Sequence, residues 1–212
     1  MEVFILNSMD LFDRLGSKSR DKKVMITDIA ISKVPFIEYK NIDPSEYDII
    51  QAINKLVLET SKNENDSNEV AIVYGLVNMN ALNPDSDYLG VSLGDEHDVF
   101  PCKDTASSKL INGFMKCAVM LSHNHPSLSL ISLDDIQFLL EYSSVQLVVV
   151  VSNLGAVSYI SKSHNYNRRE AIILLNECIT KHNDAKTLQE MEDAVKYFIS
   201  NCNRVGLDYD DR

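Results

Sequence analysis

Several features that mark common classes of functional site are missing from this sequence. It has four cysteines but no C-x-x-C pair, so neither a disulfide framework nor a thiolate zinc site is indicated. Its seven glycines are dispersed, and no G-x-x-x-x-G-K or G-x-G-x-x-G motif is present to hold a phosphate group. A G-x-S-x-G elbow and a Cys-Gly signature are also absent, which disfavours a serine or cysteine nucleophile.

Long apolar runs and an excess of positive charge are absent as well. No stretch approaches the roughly 18 apolar residues of a membrane span, and the N-terminus lacks the basic and apolar regions of a signal peptide. Lysine and arginine number 20 against 31 aspartates and glutamates, so the formal net charge is −11. This charge repels phosphate backbones and anionic lipid headgroups. We therefore expect a cytoplasmic protein for which nucleic acid and membranes are disfavoured partners.

The pattern of apolar segments predicts a mixed α/β fold with a central β-sheet flanked by helices. A chain of 212 residues, of which 45% are hydrophobic, suits one α/β domain with appended helices. We divide it into a leader at 1–22, a core domain at 23–163 and a helical appendage at 164–212. The appendage has two amphipathic helices, at 165–182 and 187–202, which indicate a packing or homo-oligomerisation surface.

Strands are predicted where β-branched and apolar residues cluster, and helices where a cap precedes helical spacing. The predicted strands are 24–32, 69–79, 88–93, 97–101, 117–122, 145–151 and 156–160. The predicted core helices are 43–57, 105–116 and 132–142, with a polar loop at 61–68 and a turn at 153–155. The nearly continuous apolar character of 69–79 places that strand in the middle of the sheet.

The most informative stretch is 122–135, where two histidines are followed by a spaced serine and aspartate. It reads SHNHPS, then LSLI, then SLDD. In extended backbone, side chains two residues apart project to one face, so His123 and His125 can reach a single ion. Zinc takes nitrogen and oxygen ligands, and a catalytic zinc site has three protein ligands and one open position. His123, His125 and Asp135 would supply that set.

A water activated by such an ion needs a general base. Zinc lowers the pKa of its bound water to about 7, which provides a hydroxide-like nucleophile at neutral pH. A base must then receive the water's proton and pass it to the leaving amine. Glu69, which opens a core strand, is our candidate, and its alternative is a glutamate in solvent at a strand edge. Glu38 and Glu64 are weaker rivals because neither has a matching strand context.

The pair of motifs His-x-His-Pro-Ser and Ser-x-x-Asp resembles the JAMM (MPN+, JAB) zinc metalloprotease family, and His-Asn-His-Pro-Ser is most similar to its bacterial RadC-like branch. The likeness covers about residues 24–161. It implies a cytidine-deaminase-like JAB/MPN core and cleavage of peptide or isopeptide bonds, often beside ubiquitin-like proteins. By position it implies that His123, His125 and Asp135 bind Zn²⁺, that Glu69 is catalytic, and that Ser132 helps stabilise the oxyanion.

The chain departs from the family pattern in the loop between His125 and Ser132. This loop is one residue shorter than is usual in the family, and Leu128 replaces the usual glycine. Catalysis is the leading hypothesis: a zinc-dependent hydrolase that cleaves an amide-type bond in a protein or peptide. One alternative is a catalytically silent scaffold that binds a partner through the C-terminal helices. Another is a RadC-like accessory protein of mobile DNA or phage biology.

The serine and the aspartate also have a purely structural interpretation. Ser-x-x-Asp before an apolar run is close to a capping box, in which Ser132 and Asp135 begin a helix. Ile131 and Ile136 are then spaced as a hydrophobic staple. The structural and metal-binding roles compete for one carboxylate, so the orientation of Asp135 distinguishes them.

Overall fold

A computed structural model describes residues 23–76, 88–113, 115–127 and 130–212. The predicted leader, 1–22, lies outside these residues. The strands are β1 (Val70–Gly75), β2 (Leu89–Leu93), β3 (Val119–His125), β4 (Val145–Ser152), β5 (Val157–Lys162) and β6 (Leu207–Asp211). The α-helices are α1 (Asp28–Lys33), α2 (Tyr47–Glu64), α3 (Thr105–Gly113), α4 (Leu133–Glu141), α5 (Arg168–Asp184) and α6 (Leu188–Asn201).

Within the described part of the chain, the six strands form one mixed sheet in the order β2-β1-β3-β4-β5-β6. Only the central pair, β3 and β4, is parallel, and the other neighbouring pairs are antiparallel. Alternate residues of the central strands contribute to two separate apolar cores. Helices α3, α4, α5 and α6 contribute to one core, and α2 covers the other. The prediction of a mixed α/β fold with a helix-flanked sheet is confirmed.

The predicted strand at 24–32 is wrong, because much of it forms α1. The Thr27 side chain accepts a hydrogen bond from the Ala30 backbone N–H at 3.2 Å and so caps the helix. Asp28 in the first turn and Lys33 in the last turn both suit the helix dipole. Local capping therefore overrides the strand preference of the β-branched residues in this segment.

Two further local predictions are wrong in part. The predicted strand at 97–101 is irregular, because the Asp95 side chain accepts hydrogen bonds from the N–H groups of His97 and Asp98 and forms a turn. Helix α2 continues to Glu64, beyond the start of the loop predicted at 61–68. The predicted turn at 153–155 is confirmed.

The C-terminal region is more closely integrated with the sheet than its amphipathic pattern indicates. Residues of α5 and α6, among them Leu175 and Phe198, are buried in the same core as β3 and β4. Strand β6, which the sequence analysis missed, pairs with β5 from Lys162 opposite Leu207 to Ser158 opposite Asp211. These helices thus serve packing within the chain, and their role in homo-oligomerisation stays a prediction.

The described residues include no helix with the length and apolar character required to cross a membrane. The cysteines are all free: Cys178 and Cys202 are buried, whereas Cys102 and Cys117 are half-buried. Burial raises the pKa of each buried thiol to about 11. These two thiols are therefore packing groups, as free cysteines in apolar surroundings usually are.

A buried lysine joins the helical layer to the sheet near the C-terminal end of β5. Lys162 is 2% exposed, and its ammonium donates to the carbonyl oxygens of Tyr142 at 2.9 Å and Val145 at 2.6 Å. Burial lowers the pKa of Lys162 to about 8. The group therefore loses its charge more readily in the folded protein than in the unfolded chain.

We expect the stability of the wild-type protein to rise relative to that of Lys162→Met between about pH 8 and pH 10. In this interval the unfolded chain keeps the lysine proton while the folded chain releases it, so a higher pH favours folding. The gain should be about 2 kcal/mol, measured by urea unfolding at several pH values. Lys196→Met, at an exposed position of α6, is the control and should show a constant difference from wild type. A constant difference for Lys162→Met would contradict this prediction.

Candidate metal centre

Strand β3 brings both histidines of the motif to one face of the sheet. Val119 and Leu121 of this strand lie in the core beneath α4, and alternation places His123 and His125 on the same side. The two rings have centroids 4.9 Å apart, and their Nε2 atoms are separated by 3.1 Å. Both histidines are buried, so their ring nitrogens converge in a sheltered position.

Helix α4 presents the third candidate ligand from its first turn. Ser132 is the N-cap, and its hydroxyl oxygen accepts from the Asp135 backbone N–H at 3.2 Å. The Asp135 carboxylate accepts from the Ser132 backbone N–H at 2.7 Å, which completes a capping box. Ile131 and Ile136, on either side of the cap, are both buried in the core. The predicted capping box is therefore confirmed.

The two oxygens of the Asp135 carboxylate have different partners. Oδ2 accepts hydrogen bonds from both the backbone and the hydroxyl of Ser132, each at 2.7 Å. Oδ1 lies 2.9 Å from Nε2 of His123, and Oδ2 lies 3.6 Å from Nε2 of His125. The carboxylate thus caps α4 and faces both histidines, so the structural role of Asp135 does not exclude a ligand role.

The donor atoms of His123, His125 and Asp135 are arranged at distances that suit one metal ion. The two Nε2 atoms are 3.1 Å apart, Oδ1 of Asp135 lies 2.9 Å from that of His123, and Oδ2 lies 3.6 Å from that of His125. Two ligands about 2.1 Å from a tetrahedral zinc ion lie roughly 3.4 Å apart. The three separations lie on both sides of that value, and two nitrogens with one oxygen are a common zinc ligand set. The buried cluster could therefore hold a metal ion.

Burial and neighbouring charges shift the pKa values of the acidic residues in the cluster. Burial by itself raises the pKa of Asp135, but the charges of His123 and His125 and the hydrogen bonds from His123 and Ser132 outweigh it and hold the pKa below its usual range. Burial, followed by the charge of Asp135, raises the pKa of Asp134 to about 7. Among the described residues, Nδ1 of His123 is buried and has no hydrogen-bond partner.

Glu69 lies on the same face of the sheet as the histidines. Ala71 of β1 pairs with His123 of β3, and Glu69, two residues before Ala71, projects to the same side. Its side chain is 8% exposed, so it is not the solvated strand-edge glutamate of the alternative interpretation. The rivals Glu38 and Glu64 are both exposed.

The environment of Glu69 disfavours an isolated negative charge. Burial is the largest factor that raises the pKa of Glu69 well above its usual value, followed by the charges of Asp135, Asp98, Asp95 and Asp134. In the described part of the chain, the Glu69 carboxylate has no hydrogen bond or ion pair. A divalent cation beside Asp135 would stabilise these carboxylates, so the donor set fits a metal by its charge as well as by its geometry.

Sequence reasoning found the metal-ligand candidates but missed several of their neighbours. It did not identify the acidic residues Asp95, Asp98 and Asp134, which act on Glu69 through space. It also missed Asn124, which lies between the two histidines and is completely buried. The sequence did indicate a role for Asn124, because this polar residue lies on the face of a buried strand opposite the histidines. Its side chain must form hydrogen bonds on that face.

Comparisons with models of known protein families, with curated proteins and with solved structures find no match to this chain. No family is thereby assigned. The arguments for function consequently depend on the geometry and chemistry of His123, His125, Asp135 and Glu69.

We expect Ser132→Ala to weaken zinc binding about tenfold, because the hydroxyl that orients a candidate ligand is lost. The variant should also lose about 1 kcal/mol of stability through the missing helix cap. Thr187→Ala is a matched control, since Thr187 and Glu190 form the same capping box on α6. That variant should show a similar loss of stability and unchanged zinc affinity. Chemical unfolding and titration against a zinc-chelating dye measure the two effects, and equal zinc affinities in the two variants would contradict the prediction.

Proposed function

We propose that this protein is a zinc-dependent hydrolase that cleaves an amide-type bond, either peptide or isopeptide. The observation that carries the proposal is the convergence of His123, His125 and Asp135, in which the closest donor atoms of each pair are 2.9 to 3.6 Å apart. Glu69, buried on the same face of the sheet, supplies the additional acid–base group that hydrolysis needs. Metal binding alone would not require such a residue.

In this proposal the chain holds zinc through one nitrogen from each histidine and through the carboxylate of Asp135. Zinc bound there would act as a Lewis acid and lower the pKa of a water molecule to about 7. The hydrogen bonds from Ser132 restrict Asp135 to the orientation in which it faces the histidines. Rigid ligands of this kind leave little freedom to be lost when the ion binds.

Glu69 serves as the proton carrier in the proposed reaction. Its carboxylate accepts a proton from the attacking water as the oxygen of that water bonds to the carbonyl carbon. The protonated Glu69 then donates this proton to the amine nitrogen as the carbon–nitrogen bond breaks. Burial and the charges of neighbouring carboxylates raise the pKa of Glu69, which favours the protonation of this group by the attacking water.

Ser132 is proposed to stabilise the oxyanion that develops on the substrate carbonyl. In the structure its hydroxyl donates to Oδ2 of Asp135 at 2.7 Å. The hydroxyl proton must therefore turn away from Asp135 before it can reach a substrate oxygen. The backbone N–H of Ser132, also 2.7 Å from Oδ2, would keep Asp135 in place during that rotation. One residue can thus orient a ligand and stabilise developing charge.

The resemblance of the motifs to the JAMM family supports the choice of an amide bond. By that resemblance we propose a JAB/MPN core of the RadC-like type and a protein or peptide substrate, for which a ubiquitin-like protein is a candidate. The orientation of Asp135 toward both histidines favours this proposal over a silent scaffold. The shorter loop after His125 does not separate Asp135 from the histidines.

The test begins with metal analysis of the purified protein, which should contain one zinc ion per chain. We expect His123→Ala to lose the zinc, because one of three ligands is removed. Absence of zinc from the wild type, even after incubation with the metal, would refute the proposal.

Glu69→Gln should keep the zinc and lose at least about 100-fold in turnover, because the proton carrier is removed while the shape of the side chain is retained. Turnover is measured on a panel of peptide and isopeptide substrates, with the exposed Glu64→Gln as the matched control of unchanged activity. Intact zinc with no cleavage of any substrate by the wild type would instead favour the catalytically silent scaffold.

A further inference from the structure

Asn124 lies between the two histidines of β3 but faces the opposite side of the sheet. It is completely buried, and alternation along the strand directs its side chain away from the metal centre. A buried amide is costly unless its donors and acceptor are paired. The partners of Asn124 therefore show what this residue holds together.

The Asn124 side chain connects four separate segments of the chain. Its oxygen accepts a hydrogen bond from the Val70 backbone N–H at 2.7 Å. Its nitrogen lies within hydrogen-bond distance of three acceptors: Oγ of Ser61 at 3.2 Å, the carbonyl of Asn68 at 3.1 Å and Oδ1 of Asn153 at 2.8 Å. These contacts link β3 to the end of α2, the start of β1 and the end of β4.

One of these contacts lies where β1 separates from β3. The register between the two strands runs from Val119 opposite Gly75 to His123 opposite Ala71. At the next residue of β1, Val70, the backbone N–H bonds to the Asn124 side chain. The side chain of Asn124 thus holds β1 against β3 at the end of their ladder.

At this point the backbone of Glu69, the residue before Val70, pairs with the residues directly after β2. Its backbone N–H donates to the carbonyl of Asp95 and its carbonyl accepts from the N–H of Gly94, both at 2.8 Å. The β1–β3 ladder thus ends before it reaches Glu69, so the separation between Glu69 and the histidines is not set by a backbone ladder.

The other side of β3 is held by its backbone. Strand β4 pairs with β3 as far as His125 opposite Ser152, and the Asn153 N–H donates to the His125 carbonyl at 3.1 Å. Oδ1 of Asn153 also accepts a hydrogen bond from the Asn124 side chain. The side chains of Asn124 and Asn153 therefore connect β1 and β3 to the end of β4. His125 is thus fixed to β4 directly, and the neighbouring Asn124 links the same end of β3 to the start of β1.

We propose that Asn124 is a positioning residue that sets, from the opposite face of the sheet, the spacing between the two histidines and Glu69. The inference rests on the proposed function, because it assigns Asn124 a role toward the zinc ligands and the general base. Small displacements of ligands or of a base have large effects on binding and reaction. Loss of the amide would free β1 to move relative to β3 at the metal centre.

The experiment compares zinc affinity in Asn124→Ala and Asn54→Ala by competition with a chelating dye. Asn54, on α2, is equally buried and is also engaged on both sides, since it donates to the Tyr39 hydroxyl and accepts from Ser122, each at 2.8 Å. Both variants remove a buried amide network. We expect zinc affinity to fall about tenfold in Asn124→Ala and to stay within about twofold of wild type in Asn54→Ala. Urea unfolding of both variants verifies that their losses of stability are comparable.

A milder variant guards against failure of Asn124→Ala to fold. Ser61→Ala removes one acceptor of the Asn124 amide and should lower zinc affinity about threefold. Unchanged affinity in the Asn124 and Ser61 variants, or equal losses in the two asparagine variants, would overturn this inference while leaving the proposed function intact. Absence of zinc binding by the wild-type protein would overturn both proposals.

Discussion

The hydrogen bonds between Ser132 and Asp135 are the constraint on which the candidate centre depends. They begin helix α4 and, in the same step, orient a carboxylate toward two histidines on a neighbouring strand. A capping aspartate uses its oxygens locally, whereas a metal ligand needs an oxygen for the ion. The structure satisfies both requirements because the capping contacts involve Oδ2 and leave Oδ1 beside His123.

The acidic residues around the same site favour the binding of a positively charged ion. Burial and the charge of Asp135 raise the pKa of both Glu69 and Asp134, whereas the two histidines hold the pKa of Asp135 below its usual range. Buried charges of one sign are retained in proteins when an ion or a reaction uses them. A divalent cation coordinated by the histidines and Asp135 would meet this need, and in the proposed function Glu69 would carry the proton beside it.

The success of sequence reasoning depended on how local the relevant interactions are. The period of two in β3 placed His123 and His125 on one face, and the Ser-x-x-Asp spacing identified the cap of α4. The error at 24–32 arose because a cap at Thr27 outweighed the strand preference of a few β-branched residues. Strand β6 was missed because its short, acidic sequence becomes a strand only by pairing with β5.

By itself, the sequence determined which side chains are available as ligands, because alternation along a strand and capping of a helix are properties of a few consecutive residues. Tertiary structure alone decided that these candidate ligands meet and that Glu69 lies buried on the same face, since Glu69 and His123 are far apart in the sequence and the fold pairs their strands. It also decided the proposed role of Asn124, whose partners come from three other segments: the end of α2, the start of β1 and the end of β4. Long-range contacts of this kind leave no spacing pattern along the chain, because they depend on how the strands pair and where they separate.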